Sequence, residues 1–131
     1  MGAFDTLSIA SSSMGMHQTW IDAIAYNIAN VNTVRPTSGN AFQAQYVMAQ
    51  PIAGGGGVEV SGVALGDPQG RVTYMPDSPL ADANGYVREP DIDMSAQMGQ
   101  LIMAQRGFQA SASITKTAQE TYNAALAIGR P

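Results

Sequence analysis

The chain of 131 residues contains no cysteine, which excludes disulfides, thiolate metal ligands and cysteine nucleophiles. It has a single histidine, too few for a zinc centre built on several nitrogen or sulfur ligands. Charged residues make up 12% of the chain, about half the share usual in soluble domains. The formal net charge is −4, so no basic field exists to hold nucleic acid or an anionic membrane surface. No run approaches the ~18 apolar residues that span a bilayer, so direct membrane insertion is not expected. A positively charged leader is missing as well. The first Lys or Arg is Arg35, and Ser11, Ser12 and Ser13 interrupt the apolar residues before it. These absences point to a cytoplasmic chain, unless a route that cuts no signal exports it.

What is present divides into three parts. From residue 4 to about 31, Leu7, Met14, Ile21 and Ile28 recur at steps of seven, with Ala10, His17, Ile24 and Val31 three places after each. That is an a/d seam held for nearly four heptads. It predicts a helix roughly 40 Å long. Asp5 suits its N-cap or first turn, and Asn30, Asn32, Thr33 and Pro36 provide its stop. At the other end, Asp91 or Asp93 can cap a helix running to about Ile128, with Gly129 as its stop. Met94, Leu101, Phe108, Thr115 and Tyr122 form one row, and Met98, Gln105, Ala112, Gln119 and Leu126 its expected companion four residues on. Gly99 and Gly107 each cost about 1 kcal/mol inside a helix, which close helix approach would offset.

The middle has a different composition. Phe42, Ala44, Tyr46 and Met48 alternate with Gln43, Gln45 and Val47 as in a half-buried strand. Gly54 to Gly57 forms a tip, and Val58 to Leu65 a second strand with Gly62 as a bulge or close-approach position. Asp67-Pro68-Gln69-Gly70 is turn chemistry before Arg71-Val72-Thr73-Tyr74, and Asp82 to Gly85 is a turn before Tyr86-Val87-Arg88. The fold class is therefore α+β: long N- and C-terminal helices forming a coiled-coil pair, with a small antiparallel β-module between them. The expected divisions are 1–33, 34–90 and 91–131.

The polar faces of the helices are informative. Between residues 6 and 34 the one charged residue is Asp22, and from Ser95 to Ala127 there are only Arg106, Lys116 and Glu120. An ordinary surface helix carries a charged face opposite its apolar stripe. Near-neutral backs made of Ala, Ser, Thr, Asn and Gln suit packing among many neighbours. A stand-alone two-helix protein-binding module with an under-charged surface is the alternative.

Candidate chemical sites dissolve on inspection. His17 sits in the seam and reads as a packed, hydrogen-bonded residue. The glycine run lacks the Lys-Ser/Thr of a phosphate loop, since Val58 follows it. Asp82-Ala83-Asn84-Gly85 resembles a fragment of a calcium loop, but Leu80 and Asp91 occupy positions that would need an acid and a Glu. Asp91 and Asp93 read as helix-capping acids, and the eight methionines as core or adaptable interface. No catalytic residue, metal or cofactor is expected, and an enzyme is disfavoured.

The stretch Trp20-Ile21-Asp22-Ala23-Ile24-Ala25-Tyr26-Asn27-Ile28-Ala29-Asn30-Val31-Asn32-Thr33 resembles the N-terminal signature of the bacterial flagellar axial proteins, most strongly at Asn-Ile-Ala-Asn-Val-Asn-Thr. Val34-Arg35-Pro36 replaces the Gly-Tyr with which many axial proteins continue, which disfavours hook and distal-rod members. Val72 to Pro79 with Gly85-Tyr86-Val87, and Pro90 through Met98, Ala104, Arg106 and Phe108 to Arg130, look like the middle and the C-terminal helix of basal-body proximal-rod proteins of C type. Tyr26, Asp91, Phe108 and Ser111 stand where those proteins commonly have Asn, Asn, Tyr and Asn.

The resemblance covers nearly the whole chain. It implies a structural subunit of the proximal rod that self-assembles through its terminal helices into a tube transmitting motor torque, with the β-module outward. The implied partners are other rod subunits, further copies of the chain and the flagellar type III export apparatus. The implied location is the periplasmic rod of the basal body, reached without a cleaved signal peptide. The assembly interface is expected at Leu7, Met14, Ile21, Ile24, Asn27, Ile28, Asn30, Val31 and Asn32 in the first helix region. In the second it is expected at Met94, Met98, Leu101, Gly107, Phe108, Tyr122 and Leu126. Before assembly the same ends are expected to be poorly ordered, since isolated helices are marginal in water.

Overall fold

The computed structural model describes residues 2–129, so Arg130 of the resemblance, and the extreme ends of the first and last divisions, lie outside the described residues. Helix α1 spans Ala3–Ala29 and helix α2 spans Met94–Ile128. Asp5 is a first-turn acid: its carboxylate accepts from the Gly2 N–H at 2.8 Å. Asp93, not Asp91, caps α2 by accepting from the N–H groups of Ser95 and Ala96 at 2.8 and 3.3 Å. Gly129 ends α2 in right-handed geometry, φ −81°, without the left-handed turn usual for a terminal glycine.

Five strands lie between the helices: β1 (Arg35–Pro36), β2 (Gln45–Pro51), β3 (Val58–Leu65), β4 (Arg71–Tyr74) and β5 (Tyr86–Glu89). They form two antiparallel sheets, a β2–β3 hairpin and a three-stranded sheet ordered β1-β5-β4. Pro36 lies on an edge strand, where its missing N–H costs no ladder bond. In the hairpin Met48 pairs with Gly62 and Ala49 with Val60, so Ser61 bulges next to the predicted glycine. The alternation at Phe42–Ala44 does not make a strand, however. Loop 66–68 takes those backbone groups: Gly66 N–H donates to Ala44 O, and Ala41 N–H to Pro68 O, both at 2.8 Å.

The helices pack against each other along their length, and α1 also packs against β2 and β3. The pair is antiparallel: Phe4 meets Tyr122, Ser13 meets Ser111 and Asn27 meets Gln97. The hairpin lies along α1 on another side. Ser12 Oγ accepts from Val58 N–H at 3.1 Å and donates to the Ile9 carbonyl at 2.8 Å. Gly57, with φ +123°, is needed there because a Cβ would collide with that hydroxyl. A second cluster of Phe42, Ala44 and Ile92, with Val31 against it, joins the helix ends to the β segments. Val31 therefore belongs to this joint, since α1 stops at Ala29.

Candidate functional site

The helix pair is the part of the molecule that its sequence marks most strongly. In α1 the heptad rows fall where expected. Ala10 and Ile24 are buried, and Leu7, Met14, His17, Ile21 and Ile28 are half-buried.

In α2 the first row is half-buried at Leu101, Phe108 and Thr115 but exposed at its ends, Met94 and Tyr122, and the companion row is wrong by one residue. The buried positions are Gln97, Ala104, Ser111 and Ala118, three residues after the first row. Met98 and Leu126, from the expected row, are 49% and 51% exposed. Hydrophobicity favoured the larger side chains. Close antiparallel packing instead takes a row that is small at Ala104, Ser111 and Ala118, with Gln97 held by Asn27 at the joint end.

Gly107 marks the closest approach. A Cβ there would collide with the His17 imidazole, so only glycine lets the ring lie across α2. Gly99 has nothing within 4 Å of its Cβ direction, so the expectation of close approach fails at that position. His17 Nδ1 donates to the Ser13 carbonyl at 2.7 Å. Ser111 Oγ lies 2.9 Å from Ser13 Oγ and 3.0 Å from the Gly107 carbonyl. Small hydroxyls thus meet their hydrogen-bonding needs at the crossing without adding bulk.

Asn27 locks the end of the pair nearest the β segments. Its Nδ2 donates to the Gln45 carbonyl at 2.9 Å and to Gln97 Oε1 at 3.0 Å, while its Oδ1 accepts from Gln45 N–H at 2.7 Å. One carboxamide therefore ties α1, β2 and α2 together, and its side chain is fully buried. Asn30 acts locally, donating to the Tyr26 carbonyl and accepting from the Thr33 hydroxyl. Asn32 is exposed and takes no part in the joint. Neither Gln45 nor Gln97 stood out in the sequence. The only available signal was that a buried carboxamide needs complementary amide partners.

The expected interface residues divide by burial. Ile24, 1% exposed, and Asn27 belong to the chain's own interior. Leu7, Met14, Ile21, Ile28, Asn30, Val31, Leu101, Gly107 and Phe108 are half-buried between elements. Asn32, Met94, Met98, Tyr122 and Leu126 are exposed. Three apolar residues of α2 that no row included, Ile102, Met103 and Ile114, are 50%, 57% and 50% exposed.

The motif resembling a calcium fragment is a turn built on Asp82. Its carboxylate accepts from the Asn84 and Tyr86 N–H groups and the Thr37 hydroxyl. The Tyr86 bond is the main reason that Asp82 ionises below its ordinary 3.8, partial desolvation opposing it and the Thr37 and Asn84 bonds adding to it. Its stabilising effect is present above that ordinary value and is lost as pH falls through the lowered one. Among the described residues, no helix is long and apolar enough to cross a membrane.

The sequence is similar to those of known proteins. Residues 83–128, from the Asp82 turn to the end of α2, match the family model described as flagellar basal body rod FlgEFG protein C-terminal. The chain is similar over its full length to curated proteins named flagellar basal-body rod protein FlgC. The Yersinia enterocolitica protein is 31% identical over 134 aligned residues, covering 99% of this chain and 100% of that protein. The Salmonella typhimurium protein is 30% identical with the same coverage. The Bacillus subtilis protein is 25% identical over 150 residues, again covering 99% and 100%.

Proposed function

The chain belongs to the FlgC family of flagellar basal-body rod proteins and is a structural rod subunit, and we propose that it joins its neighbours through the helix faces its own fold leaves uncovered. One observation carries this reading: α2 is packed inside out for an independent helical hairpin. It buries Gln97, Ala104, Ser111 and Ala118 while Met98, Ile102, Met103, Ile114 and Leu126 stay about half exposed. A self-sufficient two-helix module would put the large side chains in the seam and charges outside. Here Gln97 and three small residues form the buried row, flanked by half-buried Leu101 and Phe108, and the exposed large side chains are left for other chains.

On this reading the subunit sits in the proximal rod, between other rod proteins and further copies of itself, and carries torque. Torque transmission demands resistance to shear, which close-packed side chains provide, and it needs no turnover. The chain reaches the periplasmic rod through the flagellar type III apparatus without signal cleavage. Travel in an extended form is compatible with helices whose stability is completed by neighbours, the ordering cost being met on assembly.

The test is Ile102→Asp combined with Ile114→Asp. Both side chains are half exposed, so the purified variant is expected to melt within a few degrees of the parent. In cells it is expected to be lost from isolated basal bodies and to abolish swimming. Normal motility with this variant as the sole copy would overturn the interface. Ile24→Asp could not make the distinction, because a charge at a side chain 1% exposed breaks the chain's own core.

A further inference from the structure

The methionines are unevenly placed. The chain has eight of them and no cysteine, so every sulfur it carries is a thioether. Met14 lies inside the helix pair, half-buried, where the Thr115 hydroxyl donates to its sulfur at 3.8 Å. Met16 and Met75 are half-buried as well. Four others are open to solvent. Met48 on the hairpin is 48% exposed, and Met94, Met98 and Met103 are 40%, 49% and 57% exposed, all three within the first ten residues of α2.

Their placement on α2 follows from its contact row. With Ala104 buried against α1, a helix of 3.6 residues per turn puts Ile102 nearly opposite, with Met98 on one side of it and Met103 on the other. Gly99, on the same outer side, has nothing within 4 Å of its Cβ direction, so neighbouring elements leave this stretch open. Packing does not call for sulfur here, because leucine has a similar volume and forms helix equally well. What the thioether adds over leucine is a lone pair within reach of an oxidant.

We propose that Met98 and Met103 are oxidation sites through which hydrogen peroxide switches off the docking face of the unassembled chain. The thioether sulfur attacks one peroxide oxygen, and the S–O bond forms as the O–O bond breaks. Sulfur gives up two electrons, and the proton of the transferred oxygen passes to the departing hydroxide, leaving the sulfoxide and water. A thiol-dependent sulfoxide reductase reverses the change. The product places a polar oxygen on each flank of Ile102. The intramolecular contact is left alone, since neither sulfur lies in the buried row Gln97, Ala104, Ser111 and Ala118. Burial of that oxygen against an apolar neighbour, with no donor to meet it, opposes docking. Only chains not yet assembled respond, because neighbours that cover the face also exclude the oxidant. The proposal rests on the rod-subunit reading, in which this side of α2 meets other chains.

The purified full chain is first exposed to dilute hydrogen peroxide and its sulfoxides are mapped by mass spectrometry. Met98 and Met103 are expected to oxidise several-fold faster than Met14, Met16 and Met75, and equal rates overturn the proposal. The full chain carrying Met98→Gln and Met103→Gln, polar stand-ins for the sulfoxides, is then placed in a null strain of its own bacterium. It is expected to reach isolated basal bodies at about a tenth of the parent's level, as burial of an unpartnered polar group implies. Met98→Leu with Met103→Leu is expected to assemble as the parent does. It is also expected to keep assembling when peroxide is added while flagella grow, whereas incorporation of the parent falls. Parent-like incorporation of the Gln chain, or equal losses of the parent and Leu chains under peroxide, overturns the oxidation switch. The rod interface then stands if Ile102→Asp with Ile114→Asp is still excluded, and both readings fall if that chain assembles normally.

Discussion

The two ends of the α1–α2 pair are held by different chemistry. Near the β segments, the buried Asn27 side chain makes three hydrogen bonds to two other elements, and Ile24 packs one turn away with 1% exposure. At the opposite end an edge-to-face contact between Phe4 and Tyr122, ring centroids 5.3 Å apart, lies in the open, with Phe4 69% exposed. Directional bonds in a dry site set one angle and one register, since a wrong arrangement strands polar groups. An exposed aromatic contact permits many arrangements. The pair is therefore specified at its joint and left adaptable at its tip, where the end of α2 projects.

This contrast can be broken, most severely at the joint. Asn27→Ala would leave the Gln45 N–H and carbonyl and the Gln97 carboxamide without their partner in a buried setting. It is expected to cost about 2–4 kcal/mol in a denaturant titration of the purified chain. A cost below about 1 kcal/mol would mean that water replaces the carboxamide and that the joint specifies nothing.

The middle of the pair comes next. Gly107→Ala drives a methyl group into His17 and is expected to cost about 1–3 kcal/mol in the same titration. Gly99→Ala, with open space around it, is expected to stabilise by up to about 1 kcal/mol. Equal effects at the two glycines would refute close approach at one of them. The smallest effect belongs to the tip. Tyr122→Ala is expected to cost about 0.5–1.5 kcal/mol, read as a small fall in melting temperature. A loss as large as that of Asn27→Ala would mean that the two ends are equally constrained.

Much of this arrangement was legible from residue order. The α1 seam could be read because its a and d positions are apolar, so period and hydrophobicity agree at Leu7, Met14, Ile21 and Ile24. Strands β4 and β5 could be read because Asp67-Pro68-Gln69-Gly70 and Asp82 with Gly85 carry turn chemistry before them. The α2 companion row misled because period and hydrophobicity disagree there. The contact row holds Gln, Ala, Ser and Ala, and the more hydrophobic row next to it faces outward. Strand β1 was invisible, since two residues including a proline carry no period. Phe42 and Ala44 alternate like a strand but serve a core cluster, because loop 66–68 takes the bonds a partner strand would have made.

By itself the sequence determined the helix–β–helix order, the capping of α2 by the Asp91–Asp93 segment, the neutrality of the helix faces and the family signature around Asn27. All of these depend on neighbours within a few residues or on residue type alone. Only the tertiary structure decided which row of α2 meets α1, that Gly107 and not Gly99 yields to a side chain, and that Asn27 finds its partners 18 and 70 residues away in Gln45 and Gln97. The physical reason is that burial is a property of pairs. A helix offers several faces of comparable composition, and the one that becomes interior is chosen by the shape and unmet hydrogen bonds of the element laid against it.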